Sequence, residues 1–463
     1  MAMQKGLNII IVGCGKVGET LVEQLSRERH DITIIDKNAQ RVHSLANTYD
    51  VMGMVGNGAS YSTQLEAGIE NADLLIAVTE SDELNLLCCT VAKRVANCSA
   101  IARVRNPDYA QEVSYLQEKL GLAMIINPDL ESAKEAARIL YLPTALDVNP
   151  FAHGQAETVT LKIPKDNILD GMMLYDMNKS FPSEIETNVL ICAIERGDKV
   201  YIPKGNFRMQ CGDVVTFVST SKIARQFLRA IGFKTTQVRS TMIIGGGRSA
   251  YYLAQELCQM GIDVKIVERR KERCEELSIL LPKAVIIHGD GTDSELLQEE
   301  GLECAEAFVP LTGIDEENIL LTLHARHVSN AKVITKINRM TFRDAISRLD
   351  LGSVIYPRYI TCESILAYVR AKKNSMNSNV ETLYYLCDNQ VEAIEFRVNE
   401  PSSVTGKKLK DLNPKLKKDL LIAFINRDGR ILIPSGNDSI EVGDTVMLVT
   451  THTGFNDIQD ILA

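Results

Sequence analysis

The sequence predicts an α/β chain made of one plan used twice: a parallel-sheet domain followed by a small α+β domain, then both again. Three observations carry that prediction. Segments of the first half return in the second at an offset of 231 to 233 residues, too long a period for a solenoid repeat and of the size of a duplicated domain pair. Short Val/Ile runs alternate with amphipathic segments, the pattern of strands buried on both faces beneath helices. Each such stretch then gives way to closer, more strictly alternating strands that turn through Arg196-Gly-Asp or Arg427-Asp-Gly, both hairpin signals.

In the first domain (1–143), strands are expected at Asn8–Val12, Asp31–Asp36, Val51–Met54, Asp73–Val78, Ala100–Val104 and Ala123–Ile126, with helices such as Lys16–Glu28 and Glu83–Ala96 between them. Leu142-Pro143-Thr144 closes it. A small α+β domain (144–236) follows. Thr235-Thr236-Gln237 leads into a second parallel-sheet domain (237–371), and the polar stretch Lys372–Asn379 into a second small domain (372–463). The duplication is direct. Asn8 to Gly18 (NIIIVGCGKVG) returns as Ser240 to Ala250 (STMIIGGGRSA), Asp36 as Glu268, Gly56-Asn57-Gly58 as Gly289-Asp290-Gly291, and Thr79 with Asn85 as Thr312 with Asn318. In the small domains, Ile202-Pro203-Lys204-Gly205 and Gly212-Asp213 return as Ile433-Pro434-Ser435-Gly436 and Gly443-Asp444.

Composition limits the function. The 463 residues are 45% hydrophobic and 24% charged, as in ordinary globular proteins, and at about 100–200 residues per domain they suit two to five domains. The net charge of −9 argues against a nucleic-acid polymer as partner, because phosphate contacts need a basic face. No run approaches the roughly 18–20 apolar residues of a membrane span, and Leu7–Val12 is too short for a signal sequence, so a soluble intracellular chain is expected. Eleven cysteines without a C-x-x-C pair read as small buried hydrophobes rather than disulfides or a zinc site. His324 and His327 lie three apart on an expected helix, but no third ligand stands at helical spacing, so no metal is assigned.

The chemistry is expected at the glycine turns. Gly13, Cys14, Gly15, Lys16, Val17 and Gly18 join an expected strand to an expected helix. In that context Gly13 allows the tight turn, Gly15 lets backbone approach a pyrophosphate, and Gly18 lets the helix pack on the strand. The helix start offers N–H groups and partial positive charge to phosphates. Asp36, ending the second strand, can take both ribose hydroxyls of an adenosine and disfavours a 2′-phosphate, so NAD is preferred to NADP. This is a Rossmann-like nucleotide-binding pattern. In the second copy the turn is Gly245, Gly246, Gly247, Arg248, Ser249 and Ala250, with Glu268 in the acidic role. Arg248 is expected to add charge to the phosphates there, and Arg269 and Arg270 to stack on adenine or to soften the bias against a phosphorylated ribose. Thr79, Glu80 and Arg103 sit at the carboxyl edge of the first sheet, where such ligands bind; Thr312 and Lys336 are their counterparts. A dehydrogenase would need an acid/base group and a substrate domain. The small domains offer only His153 and His452, so binding without catalysis fits better.

On these residues, together with Ala77-Val78-Thr79, Ala102-Arg103 and Ile126 to Ala133 (INPDLESA), the chain resembles the TrkA family of tandem regulator-of-potassium-conductance (RCK) proteins, the cytosolic subunits of Trk potassium uptake systems. The resemblance spans essentially the whole chain. It implies a regulatory subunit, not an enzyme, that binds NAD(H), or ATP and ADP, at the turns named above. It also implies a homotetrameric ring at the cytoplasmic face of the membrane, under a TrkH-type pore subunit whose opening the bound nucleotide biases, and helices after Pro128 that pack between the parallel-sheet domains. Two other readings stay open: an NAD-dependent oxidoreductase, and a sensor subunit of another transporter whose small domains bind a cyclic dinucleotide or a cation.

Overall fold

The computed structural model describes residues 6–96, 98–110, 112–152, 155–180, 189–197, 199–233, 235–338, 346, 349–374, 379–387, 390–455 and 457–463. His153, Asp198 of the first hairpin and 375–378 of the expected linker lie outside them. The chain divides into two compact units, one of Met1–Lys134 with Ser240–Cys362, the other of Glu135–Arg239 with Glu363–Ala463.

The first unit holds two parallel six-stranded sheets. Strands β1 (Asn8–Val12), β2 (Asp31–Asp36), β3 (Met52–Val55), β4 (Leu74–Ala77), β5 (Ser99–Arg103) and β6 (Met124–Ile126) lie in the order 3-2-1-4-5-6. β1 and β4 are buried along almost their whole length, as the unbroken apolar runs require of strands covered on both faces. β3 is the exposed edge. Helices Lys16–Arg27 and Asp82–Val95 follow β1 and β4. The second sheet repeats this order with strands that fall later in the chain.

The second unit holds two antiparallel five-stranded sheets. The first has β7 (Asp147–Phe151), β8 (Ala156–Lys162), β9 (Leu190–Arg196), β10 (Lys199–Tyr201) and β11 (Val214–Ser219), in the order 10-9-11-8-7. The second parallel sheet then consists of β12 (Ser240–Ile244), β13 (Asp263–Glu268), β14 (Val285–His288), β15 (Ala307–Pro310), β16 (Lys332–Lys336) and β17 (Ser353–Ile355), ordered 14-13-12-15-16-17. The last sheet has β18 (Val380–Leu386), β19 (Val391–Arg397), β20 (Leu420–Arg427), β21 (Arg430–Leu432) and β22 (Thr445–Thr450), ordered 18-19-22-20-21.

The β20–β21 turn has positive φ at both central residues, Asp428 (51°) and Gly429 (80°), the mirror-image turn whose twist suits a hairpin. Arg427 closes it from below with two hydrogen bonds to Asp444, each of 2.8 Å; Arg196 and Asp213 repeat the arrangement at 2.7 Å. The two antiparallel sheets share an apolar core in which Phe151, Cys192 and Val218 meet Ala393, Phe424 and Met447. Phe151 packs edge-on against Tyr384 with ring centres 5.0 Å apart. At one edge of this core Glu395 accepts the Ala152 N–H at 2.7 Å.

Candidate functional site

The sheet order reverses at β1, which pairs with β2 on one side and β4 on the other. Strand ends diverge there, and a cleft opens at their carboxyl ends. It has a volume of about 910 Å³. Gly13, Gly15, Lys16, Val17, Asp36, Thr79, Glu80 and Arg103 all line it, so the structure gathers eight of the residues expected at the first site.

The local geometry explains the glycines. Gly13 has φ +107°, and a Cβ there would lie 2.9 Å from the Thr79 nitrogen. A Cβ on Gly15 would meet nothing within 4 Å and would project into open space. On Gly18 it would come within 1.9 Å of the Gly13 carbonyl oxygen, so Gly18 serves close packing and not the cleft wall. Gly15 caps the helix Lys16–Arg27 with no side chain bonded to the first N–H groups. An open cradle at a helix start fits a pyrophosphate.

Asp36 does more than await a ribose. One carboxylate oxygen accepts the Cys14 N–H at 2.6 Å and the other the Asn38 N–H at 2.8 Å, so the acid braces the glycine turn. Cys14 turns its side chain inward, and burial, then the nearby Asp36 charge, pushes its thiol up to about 12. Thr79 is held by buried Asn85, whose Oδ1 accepts both the Thr79 N–H (2.8 Å) and hydroxyl (2.7 Å) and whose amide donates to the Arg103 carbonyl. The Arg103 guanidinium donates to the Thr79 carbonyl. Burial, then the adjacent Arg105 charge, lowers its pKa to about 10. Lys37, Arg41 and Arg105, which the sequence reading did not single out, stand on the same wall. The signal for Arg105 lay in its spacing, two residues past Arg103.

The second cleft is smaller, about 350 Å³, and Gly245, Gly246, Gly247, Glu268 and Thr312 line it. The bracing repeats: Glu268 accepts the Gly246 N–H at 2.7 Å and the Arg270 N–H at 2.8 Å, and Asn318 holds Thr312 as Asn85 holds Thr79. Burial acts to raise the Glu268 pKa, but the hydrogen bonds from Arg270 and Gly246 outweigh it and leave the carboxyl below its ordinary range. Three residues expected here are not in its lining. Arg248 lines the first cleft. The Ser249 hydroxyl donates to Asp129 at 2.6 Å. The Lys336 side chain is half-buried, and its ammonium donates to the Leu311 carbonyl at 2.9 Å. For Arg248 and Ser249 the physical reason is packing: the helix Arg248–Gln259 lies against the first sheet's carboxyl edge, where Tyr252 donates to the Arg105 carbonyl and accepts from Asn127.

Comparison with known proteins agrees with this architecture. Residues 9–128 and 241–357 match the TrkA-N domain, and 158–232 and 393–463 the TrkA-C domain. The Trk system potassium uptake protein TrkA of Halomonas elongata is 32% identical over 444 residues, 96% of this chain and 95% of that protein. Among solved structures, the GsuK RCK domain superposes with a TM-score of 0.64 at 17% identity, covering 97% of this chain and 93% of that one. The GsuK channel bound to NAD gives 0.63 at 17% identity, covering 97% and 77%. With both domain types matched twice in alternation, and a full-length relative above 30% identity, the chain belongs to the TrkA family.

Proposed function

We propose that the chain is a nucleotide-sensing, non-enzymatic regulatory subunit of a Trk-type potassium uptake system. It works as four domains, 1–143, 144–236, 237–371 and 372–463. The reading rests on one observation above all, the open cradle at Gly15 beneath an uncapped helix start and beside Asp36. NAD(H), or ATP or ADP, would be held there. Gly13, Gly15, Lys16 and Val17 face the phosphates, Asp36 takes ribose hydroxyls, and Thr79, Glu80 and Arg103 form the far wall. Arg248, reaching the same cleft from the second parallel-sheet domain, supplies further positive charge. Bound nucleotide would supply negative charge and a rigid span between the two walls.

The family supports a membrane partner: a TrkH-type pore subunit, met at the cytoplasmic face by a ring of these chains, a homotetramer. Bound nucleotide biases such a ring only by its difference in affinity between two shapes. About 1–3 kcal/mol of coupling gives roughly 5- to 150-fold control. In the ring, movement of the helix Lys16–Arg27 would pass to the helix Pro128–Tyr141.

A thermal-shift panel of NAD, NADH, ADP, ATP and a cyclic dinucleotide tests the reading. A ligand at 100 times its Kd adds about 2.7 kcal/mol. Stabilisation by adenine nucleotides with no NADH oxidation in the presence of carbonyl substrates supports it. Turnover would favour an oxidoreductase, and stabilisation by the cyclic dinucleotide alone a different sensor.

A further inference from the structure

The two glycine turns descend from one pattern, but their surroundings differ in sign. Among the described residues the first cleft is walled by Lys16, Lys37, Arg41, Arg103, Arg105 and Arg248 against Asp36 and Glu80. The second is walled by Arg269 and Arg270 against Glu268, Asp290 and Glu317. A cleft rich in one sign focuses its potential on a ligand of the other, so the first draws phosphates more strongly than the second.

Each cation of the first cleft's lining can be traced to its counterpart in the second copy. Lys16 corresponds to Arg248, which stands on the first cleft's wall. Arg103, which donates to the Thr79 carbonyl, corresponds to Lys336, which donates to the Leu311 carbonyl from behind the second cleft's lining. Arg41 corresponds to Arg273, whose Nε donates to the Gly246 carbonyl at 2.7 Å and whose Nη1 pairs with Glu276 at 2.7 Å. Arg105 corresponds to Asn338, and apolar Leu84 to the acidic Glu317. The volume falls with the charge, from about 910 to about 350 Å³.

We infer that each chain binds a single nucleotide polyphosphate, in the first cleft, and that the second glycine turn has changed its work: it holds no such ligand and instead delivers Arg248 to the first cleft. This rests on the proposed nucleotide reading and adds a stoichiometry and a division of labour to it. Glu268 is then a brace for the second turn, not a clasp for ribose.

The test is equilibrium binding to the purified full-length chain with ADP, ATP and NADH as probes, by titration calorimetry or dialysis to about 1 mM ligand. Gly15 in the first cleft and Gly313 in the second make a useful pair, since a Cβ at either meets nothing within 4 Å, neither has positive φ, and Gly313 lies outside the turn that delivers Arg248. One ligand per wild-type chain is expected, none for Gly15→Val and one for Gly313→Val, with both variants melting within a few degrees of wild type. Two ligands per wild-type chain, a ligand remaining in Gly15→Val, or a site lost in Gly313→Val overturns the inference and leaves nucleotide binding standing. No ligand on the wild-type chain overturns the nucleotide reading itself.

Discussion

Ser249 and Asp129 share a hydrogen bond of 2.6 Å between the helix start of the second glycine turn and the first turn of the helix that follows Pro128. With Tyr252 bonded to both Asn127 and the Arg105 carbonyl, it forms a seam between the two parallel-sheet domains. A hydrogen bond to a carboxylate is worth about 1.5–3 kcal/mol. Ser249→Ala should lower the urea midpoint accordingly with an unchanged slope. An unaltered midpoint would mean that the seam draws nothing from this bond.

The three glycines of the first turn should separate fold from function. Gly18→Ala forces a Cβ to within 1.9 Å of the Gly13 carbonyl oxygen. The helix must shift, at a cost of about 2 kcal/mol or more. Gly15→Ala puts its methyl in open space, so stability should stay within about 0.5 kcal/mol, while ADP affinity falls at least about tenfold. Denaturation curves and Kd values for the two variants, measured side by side, check this. A stable Gly18→Ala would contradict the packing role.

Arg248→Ala should weaken binding of ATP to the first cleft by about tenfold, or 1.4 kcal/mol. It should also flatten the dependence of Kd on salt, because an exposed cation's attraction is screened. Titrations at 50 and 200 mM salt read both effects. Equal Kd values for variant and wild type would leave Arg248 with no part in the site.

Acid should stabilise the second unit through Glu363. Burial, then the Glu135 and Asp147 carboxylates, raise the Glu363 pKa well above its ordinary value. A group whose pKa is higher folded than unfolded contributes stability that is complete below the unfolded value and disappears as pH rises through the folded one. From about pH 4.5 upward, wild type should therefore lose melting temperature faster than Glu363→Gln, and the variant should be the more stable at pH 8. Parallel curves across pH 5 to 8 would show that the carboxyl carries no such linkage.

Much of this molecule is local, and what is local was legible. The strand at Asn8–Val12, the turn from Gly13 to Gly18 and the acid at Asp36 follow from spacing within some 30 residues, and the duplication allowed the same inference at Ser240. The repeated Thr–Asn pairing was visible as sequence, but its meaning, a buried amide pinning a strand end, needed the fold. Arg248 was misplaced because a glycine turn states where a helix starts and not what the helix start faces. Its neighbour Ser249 is bonded to a residue 120 positions away, a relation that no periodicity encodes. Lys336 follows from analogy with Arg103, and both donate to a strand-end carbonyl, but Arg103 also lines its cleft and Lys336 does not. The apolar core common to both small sheets was likewise hidden, since alternation marks which side chains point inward but not which sheet they meet.

That common core has a consequence for heredity. If two identical half-length chains paired through it, every substitution would be copied into both members, and neither glycine turn could lose a charge without its twin losing the same one. Covalent fusion removes the constraint. Phe151 always meets Phe424 of the same polypeptide, so unlike halves are born in equal number and already partnered, and one can drift toward a new task while the other keeps the ancestral one.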